Sequence, residues 1–247
     1  MDAMIYTAMN GARQTLDEQT VVTHNLSNVS TTGFRAQLAA ARAVPVNGVG
    51  VHDTRVASVA ATGLFNSQQG ALQTTERELD VALAENNWLA VQTPAGEAYT
   101  KRGDLQVDAN GQLSVNGMPV LGDGGPIMIP MGTQLSIGDD GTISGIGLGG
   151  DPNELVPFDR MKLVRVDQPN QLERREDGWF QSLSGAPLAR DENGSLRSGA
   201  LESSNVNAVE AMVAMIDTQR RYELNMNVIK TADESAQQAN SLLSVKG

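Results

Sequence analysis

The sequence predicts an α+β fold, with a long helix at each end of the chain and a central, mainly antiparallel β domain. Three observations predict it. Apolar residues recur at alternating three- and four-residue steps over residues 5–26. They recur again at seven-residue intervals over 205–243. Between these ends the helical period stops, and short apolar runs alternate with turns that carry Gly, Asn and Asp. The first two patterns place apolar side chains along one narrow helical stripe. The third is the pattern of short strands joined by hairpins.

The N-terminal stripe is Ile5, Ala8/Met9, Ala12, Thr15/Leu16, Gln19, Val22 and Leu26. It is narrower than the apolar face of an ordinary core helix, and Gly11 weakens it slightly. At the other end, Met215, Tyr222, Ile229, Ala236 and Leu243 repeat every seven residues. Met212, Gln219, Met226, Asp233 and Asn240 fill the seam between them. Asn205 is suited to cap this helix, and neither Pro nor Gly interrupts it before Gly247. At 1.5 Å per residue it extends roughly 58 Å. The two helices are expected to pair as a coiled coil. The first is too short to cover the second, so the rest of the seam calls for another molecule.

Candidate strands lie at 89–92, 97–101, 105–107, 112–115, 127–129, 134–137, 161–166 and 179–181. Asp108-Ala109-Asn110-Gly111, Asn116-Gly117, Asp139-Asp140-Gly141 and Glu192-Asn193-Gly194 supply turns between them. An antiparallel sheet or a small open barrel follows. Residues 36–80 are broken by Pro45, Gly48, Gly50, Gly63 and Gly70 and read as an extended connector with some strand. The expected organisation is therefore a terminal helical domain of 1–35 and 205–247, a connector of 36–80, and a β-rich outer domain of 81–204.

Composition removes several functions. The 247 residues are 40% hydrophobic, enough for a sizeable core. A net charge of −11 disfavours nucleic acid and anionic membrane surfaces. With no Cys, thiolate metal sites and cysteine nucleophiles are absent. No apolar run has the length of a membrane span, and Met1-Asp2-Ala3-Met4 lacks a basic, apolar leader. Any exit from the cytoplasm is thus expected to avoid an ordinary cleaved signal peptide.

Motifs that suggest chemistry read better as surface. Gly145-Ile146-Gly147-Leu148-Gly149-Gly150 matches a dinucleotide fingerprint literally, but Asp151-Pro152-Asn153 follows where a helix would have to start. A calcium loop from Asp108 or Asp139 would place Pro119 or Gly150 at the twelfth position, which needs Glu. His24 and His52 are the only histidines, and no nucleophile or zinc motif accompanies them. Paired carboxylates such as Glu176/Asp177 lie in turn-like sequence, and only nine aromatic residues serve the whole chain. A carbohydrate-acting enzyme, the rival reading, would need two carboxylates about 5–9.5 Å apart between aromatic walls. The expectation is a protein without enzyme activity, cofactor or metal.

The segment Asn25-Leu26-Ser27-Asn28-Val29-Ser30-Thr31-Thr32-Gly33-Phe34-Arg35 closely resembles the N-terminal signature of bacterial flagellar rod and hook proteins. Ser27 and Thr32 depart mildly from its usual Ala and Pro. A second match is Gly199-Ala200-Leu201-Glu202-Ser203-Ser204-Asn205-Val206, with Val209, Met212, Ile216, Arg220, Tyr222 and Glu223 following. It resembles the family's C-terminal helix and its entry. The stretch from Arg102-Gly103 to Pro130, with Gly124-Gly125-Pro126-Ile127, is similar to the β domain of the same proteins. Ile5-Tyr6-Thr7-Ala8-Met9, Gly11-Ala12 and Gln14-Thr15-Leu16 look most like the proximal rod members, with the distal rod members as the alternative.

The resemblance implies a structural subunit that stacks helically through its terminal helices into the hollow, torque-transmitting rod that crosses the periplasm. It implies partners among other rod subunits and copies of the chain itself, and passage through the flagellar type III export apparatus without a cleaved signal. Residues expected at the assembly interface are Ile5, Met9, Ala12, Leu16, Asn25, Leu26, Asn28, Gly33, Phe34, Asn205, Val206, Met212, Met215, Arg220, Tyr222, Met226, Ile229 and Leu243. Charge distribution fits. Residues 81–204 carry −8 of the net −11, so the helices are nearly neutral and can crowd together.

Overall fold

A computed structural model describes residues 2–45, 56–61, 64–130, 132–146, 156–175 and 177–244. The chain is α+β and divides into two compact units. One is built from Met1–Ser27, Gln37–Thr62 and Asn207–Gly247, the other from Asn28–Ala36 and Gly63–Val206. These bounds differ from those read in the sequence: 28–36 join the β-rich unit, and 37–62 join the helices.

The first unit holds helix α1 (Asp2–Ser27), an antiparallel pair of strands β1 (Ala40–Pro45) and β2 (Val56–Ala61), and helix α2 (Ala208–Ser244). The two helices lie side by side and run antiparallel. Arg221 reaches Glu18 at 2.9 Å, while Asn225 donates to Thr15 Oγ1 at 3.5 Å and stands over Gly11. On α1 the buried positions are Ala8, Ala12 and Thr15, so Met9 and Leu16, their neighbours in the predicted stripe, face outward. On α2, Met215, Tyr222, Ile229 and Ala236 are half-buried.

The intervening seam of α2 is not the one expected. Ala211, Thr218 and Ala232 are buried and Asn225 makes the contact above, whereas Met212, Gln219, Met226 and Asp233 are exposed. The seam is shifted by one residue because small side chains let two helices approach closely, and apolarity alone selects the bulkier neighbour. The N-cap also moves. Asn207 Oδ1 accepts from the amides of Val209 at 3.0 Å and Glu210 at 3.4 Å, so Asn205 is not the cap.

The second unit carries fifteen strands among the described residues. They are β3 (Leu72–Thr74), β4 (Val81–Leu83), β5 (Asn87–Thr93), β6 (Gly96–Thr100), β7 (Leu105–Val107), β8 (Leu113–Val115), β9 (Met118–Pro119) and β10 (Gln134–Ile137). They continue with β11 (Thr142–Ile146), β12 (Val156–Arg160), β13 (Leu163–Arg165), β14 (Leu172–Arg174), β15 (Phe180–Ser182), β16 (Leu196–Ser198) and β17 (Ala200–Glu202). All of their pairings are antiparallel, in open sheets rather than a barrel. The largest sheet has the order β13-β5-β6-β15-β14; β7-β8-β9 and β10-β11-β12 are meanders.

β5 is buried on both faces. Leu89 and Val91 enter one core with Leu105, Leu113 and Ile127, while Trp88 and Ala90 enter a second with Tyr99 and Val164. Full burial of a side chain such as Leu89 contributes about 2–3 kcal/mol. Phe65, Trp88 and Phe180 meet edge to face in the second core, with centroids 4.8–5.7 Å apart. Such edge-to-face pairs add to their burial.

The predicted turns join strands: Asp108–Gly111 links β7 to β8, Asn116-Gly117 links β8 to β9, and Asp139–Gly141 links β10 to β11. Glu192–Gly194 instead leads into β16, which pairs with the distant β4. Residues 127–129 form no strand; Met128 alone among them makes an isolated bridge, to Gln112. Pro126 and Pro130 bracket them and remove two ladder donors. His52, Glu176, and Gly147 to Gly150 of the glycine-rich string lie outside the described residues.

Candidate assembly surface and signature joint

The helical unit presents an apolar face that nothing in the described structure covers. Val209, Met212, Val213 and Ile216 stand at i, i+3, i+4 and i+7 on α2, each 52–69% exposed. That spacing makes one contiguous patch on a helix. Leu224, Met226 and Val228 continue the exposure along α2, and Tyr6, Met9 and Leu16 stand exposed on α1. Isolated exposed apolar residues are ordinary, but a run of this length along one helix is not. Val209, Val213, Ile216, Leu224, Val228 and Tyr6 are absent from the residues predicted for assembly. They fall outside the seven-residue repeat, although Val209 and Ile216 stand in the matched C-terminal motif.

The predicted residues divide into two sets. Met9, Leu16, Met212, Arg220 and Met226 are exposed. Ile5, Leu26, Met215, Tyr222 and Ile229 are half-buried, and Ala12 is buried. Asn25 is engaged at both ends of its amide, with Gln37 N and O at 2.8 Å each. Leu243 lies in the last turn of α2.

Asn28, Gly33, Phe34, Asn205 and Val206 belong to the β-rich unit, where the two signature segments are brought together. Gly33 N donates to Glu202 O at 2.7 Å, and Asn205 N to Phe34 O at 3.2 Å. Asn205 Oδ1 accepts from Ala36 N at 2.7 Å, while its Nδ2 donates to Asn66 O and Gln68 O. Its amide therefore ties three segments of chain.

Arg35 pairs with Glu202, and both side chains are fully buried. Gly70 N donates to the same carboxylate at 2.8 Å. Among the described residues Arg35 Nε and Nη2 and Glu202 Oε2 have no further partner. Phe34 is buried beneath the Arg174 guanidinium, 4.6 Å from its ring centroid, and Arg174 also donates to Arg35 O.

Lys101 sits beside this joint with 1% of its surface exposed. Its ammonium donates to Ala84 O and Glu85 O at 2.7 Å and lies 5.4 Å from the Trp88 ring centre. Burial, reinforced by the Arg35 cation, pulls its pKa down to about 7, against the opposing pull of Glu202 and Glu85. Between pH 7 and the ordinary lysine value of 10.5 the unfolded chain therefore binds more protons, and stability rises with pH. Above pH 10 unfolded tyrosines ionise while burial keeps Tyr99 protonated, so the rise ends there. We expect urea midpoints to climb from pH 7 to 10, with a gain of order 1 kcal/mol per pH unit. The slope should flatten in Lys101→Met.

The turn carboxylates are committed to their own loops. Gln112 and Asn110 amides donate to Asp108, and Thr142 donates to Asp140 through its hydroxyl and amide, which holds both acids below the usual range. Among the described residues no group of three His, Cys, Asp or Glu is arranged to hold a metal, and no helix is long and apolar enough to cross a membrane.

Helical ends carrying an uncovered apolar face, joined by a β-rich segment that locks both signatures, are the features of a subunit made to assemble. Three family models match. Residues 5–35 match the flagella basal body rod protein model, and 82–145 the D1 domain of the flagellar hook protein FlgE/F/G. Residues 197–242 match the C-terminal model of the flagellar basal body rod FlgEFG proteins. The flagellar basal-body rod protein FlgF of Salmonella typhimurium is 47% identical over 99% of this chain and 100% of its own length. FlgF of Escherichia coli is 46% identical over the same shares. FlgG of Buchnera aphidicola (subsp. Acyrthosiphon pisum) is 32% identical over 90% of this chain and 92% of its own length. The chain belongs to the flagellar basal-body rod protein family and is a FlgF-like structural rod subunit. Its place is the flagellar basal body, in assembly with other rod components.

Proposed function

We propose that this subunit stacks helically in the proximal part of the rod, with its terminal helices pairing as a coiled coil and carrying the contacts between subunits. The observation that carries this reading is the exposed i, i+3, i+4, i+7 face of Val209, Met212, Val213 and Ile216, on a helix of 37 residues beside one of 26. In this reading the helical unit of Met1–Ser27, Gln37–Thr62 and Asn207–Gly247 is axial, and the acidic β-rich unit faces solvent. The assembled rod crosses the periplasm, transmits torque and encloses the channel for later subunits. The subunit itself leaves the cytoplasm through the flagellar type III export apparatus, without a cleaved signal peptide, and catalyses no reaction. Similarity over the full chain at 47% to FlgF, against 32% to a FlgG, supports the proximal over the distal position.

Ile216→Asp tests the contact. It places a charge on the exposed face without touching the α1–α2 seam. We expect loss of incorporation into basal bodies and of motility, with the melting temperature of the free subunit within about 2 °C of wild type. Normal motility would remove this face from the interface. Labelling the subunit in isolated basal bodies tests its axial position.

A further inference from the structure

The sequence contains five Asn-Gly pairs, at 10–11, 47–48, 110–111, 116–117 and 193–194. Residues 47–48 lie outside the described residues; among the other four the structure sets one apart. In such a pair the glycine amide nitrogen can attack the asparagine side-chain carbonyl, because no Cβ shields it. A bond forms between that nitrogen and Cγ, the Cγ–Nδ2 bond breaks, and ammonia leaves a succinimide ring. Water then opens the ring at either carbonyl, giving aspartate or isoaspartate. The reaction needs an amide free of its hydrogen bond, room for the ring, and a backbone that can bring Cγ over the nitrogen.

Three pairs fail these conditions. Gly111 N donates to Asp108 O at 3.0 Å, and a Cβ there would stand 2.4 Å from Ile129 O. Gly194 N donates to Asp191 O at 3.2 Å, with Leu163 packed against it. Both glycines are buried. Gly11 is inside α1, with the Asn225 side chain 3.0 Å from its Cβ position.

Gly117 meets all three. It is exposed, nothing stands within 4 Å of its Cβ position, and its amide has no hydrogen-bond partner among the described residues. Asn116 and Gly117 have φ of +49° and +77°, a type I′ turn between β8 and β9. Flipping the peptide between them gives a type II′ turn, in which ψ of the first residue is about −120°. That angle swings Cγ toward the following nitrogen. Both turn types close the same two-residue hairpin, so the strands need not separate.

We propose that Asn116-Gly117 is a site of spontaneous deamidation in the folded protein. Asn116 lines a cleft together with Arg102 and Arg174, so the product carboxylate adds a negative charge to its lining.

The test follows the native full chain at mildly alkaline pH by peptide mass mapping, with a parallel sample in denaturant. In the native sample Asn116 should convert at least about tenfold faster than Asn110 or Asn193, since those amides must first give up a hydrogen bond. In denaturant the three rates should come within about twofold to threefold of one another, because only the shared dipeptide remains. Asn110 or Asn193 keeping pace with Asn116 in the native sample overturns the proposal. So does a tenfold preference that persists in denaturant, which would assign it to flanking sequence.

Discussion

Replacing Glu202 by alanine is expected to cost the β-rich unit about 3–5 kcal/mol of unfolding free energy, because it leaves the Arg35 guanidinium buried without a counter-charge. Arg35 is 1% exposed, and its side chain is fully buried. The pair itself need not be strongly stabilising: three of its polar atoms lack further partners, and desolvation offsets much of the attraction. The single mutant is costly because it strands the partner. The double mutant Arg35→Met/Glu202→Leu should therefore recover roughly half of the loss, with the unbonded Gly70 amide accounting for part of the remainder. Trp88 and Trp179 are both in this unit, so urea denaturation followed by tryptophan fluorescence reads it directly. A loss under about 1 kcal/mol in Glu202→Ala would show that water reaches Arg35 after all.

Gly33→Ala should be damaging for a different reason. Gly33 has φ of +64°, where a non-glycine residue costs about 1–2 kcal/mol. The added methyl would also stand 2.3 Å from Lys101 O, a backbone atom held within the core. Relieving that overlap means moving Gly33 away from Lys101 and disturbing its 2.7 Å bond to Glu202 O. We expect a loss of about 3 kcal/mol or more by the same fluorescence measurement. Gly117→Ala is the control: its φ is +77° but its Cβ position is open, so it should pay only the conformational term.

Much of the architecture was legible because it rests on period and turn chemistry. The strands at 105–107 and 134–137 and the turn at Asn116-Gly117 stand where pattern places them. Pattern failed where size rather than polarity decides. Ala211, Thr218, Asn225 and Ala232 are unremarkable in hydropathy, so the bulkier Met212 and Met226 drew the seam to themselves, one residue away. Asn205 and Asn207 are equally good caps in sequence, and only the bonds from Asn205 to Ala36, Asn66 and Gln68 show that its amide is already committed. β4 and β17 pair with the distant β16 and β3, so no hairpin turn marks them in the sequence. Arg35 and Glu202 are each visible in a signature segment, yet no local rule pairs residues 167 positions apart.

That separation has a consequence in time. Helix α1 is released first but packs against a helix that begins at Ala208, and the Arg35 joint closes only with Glu202 and Asn205. Neither unit is complete in the first four-fifths of the chain. During synthesis the N-terminal 200 residues must wait with their joint open, and a chain threaded end-on in either direction meets the same delay. Completion of both units waits until both ends are free together, and closing so long a loop costs entropy that the local hairpins do not pay.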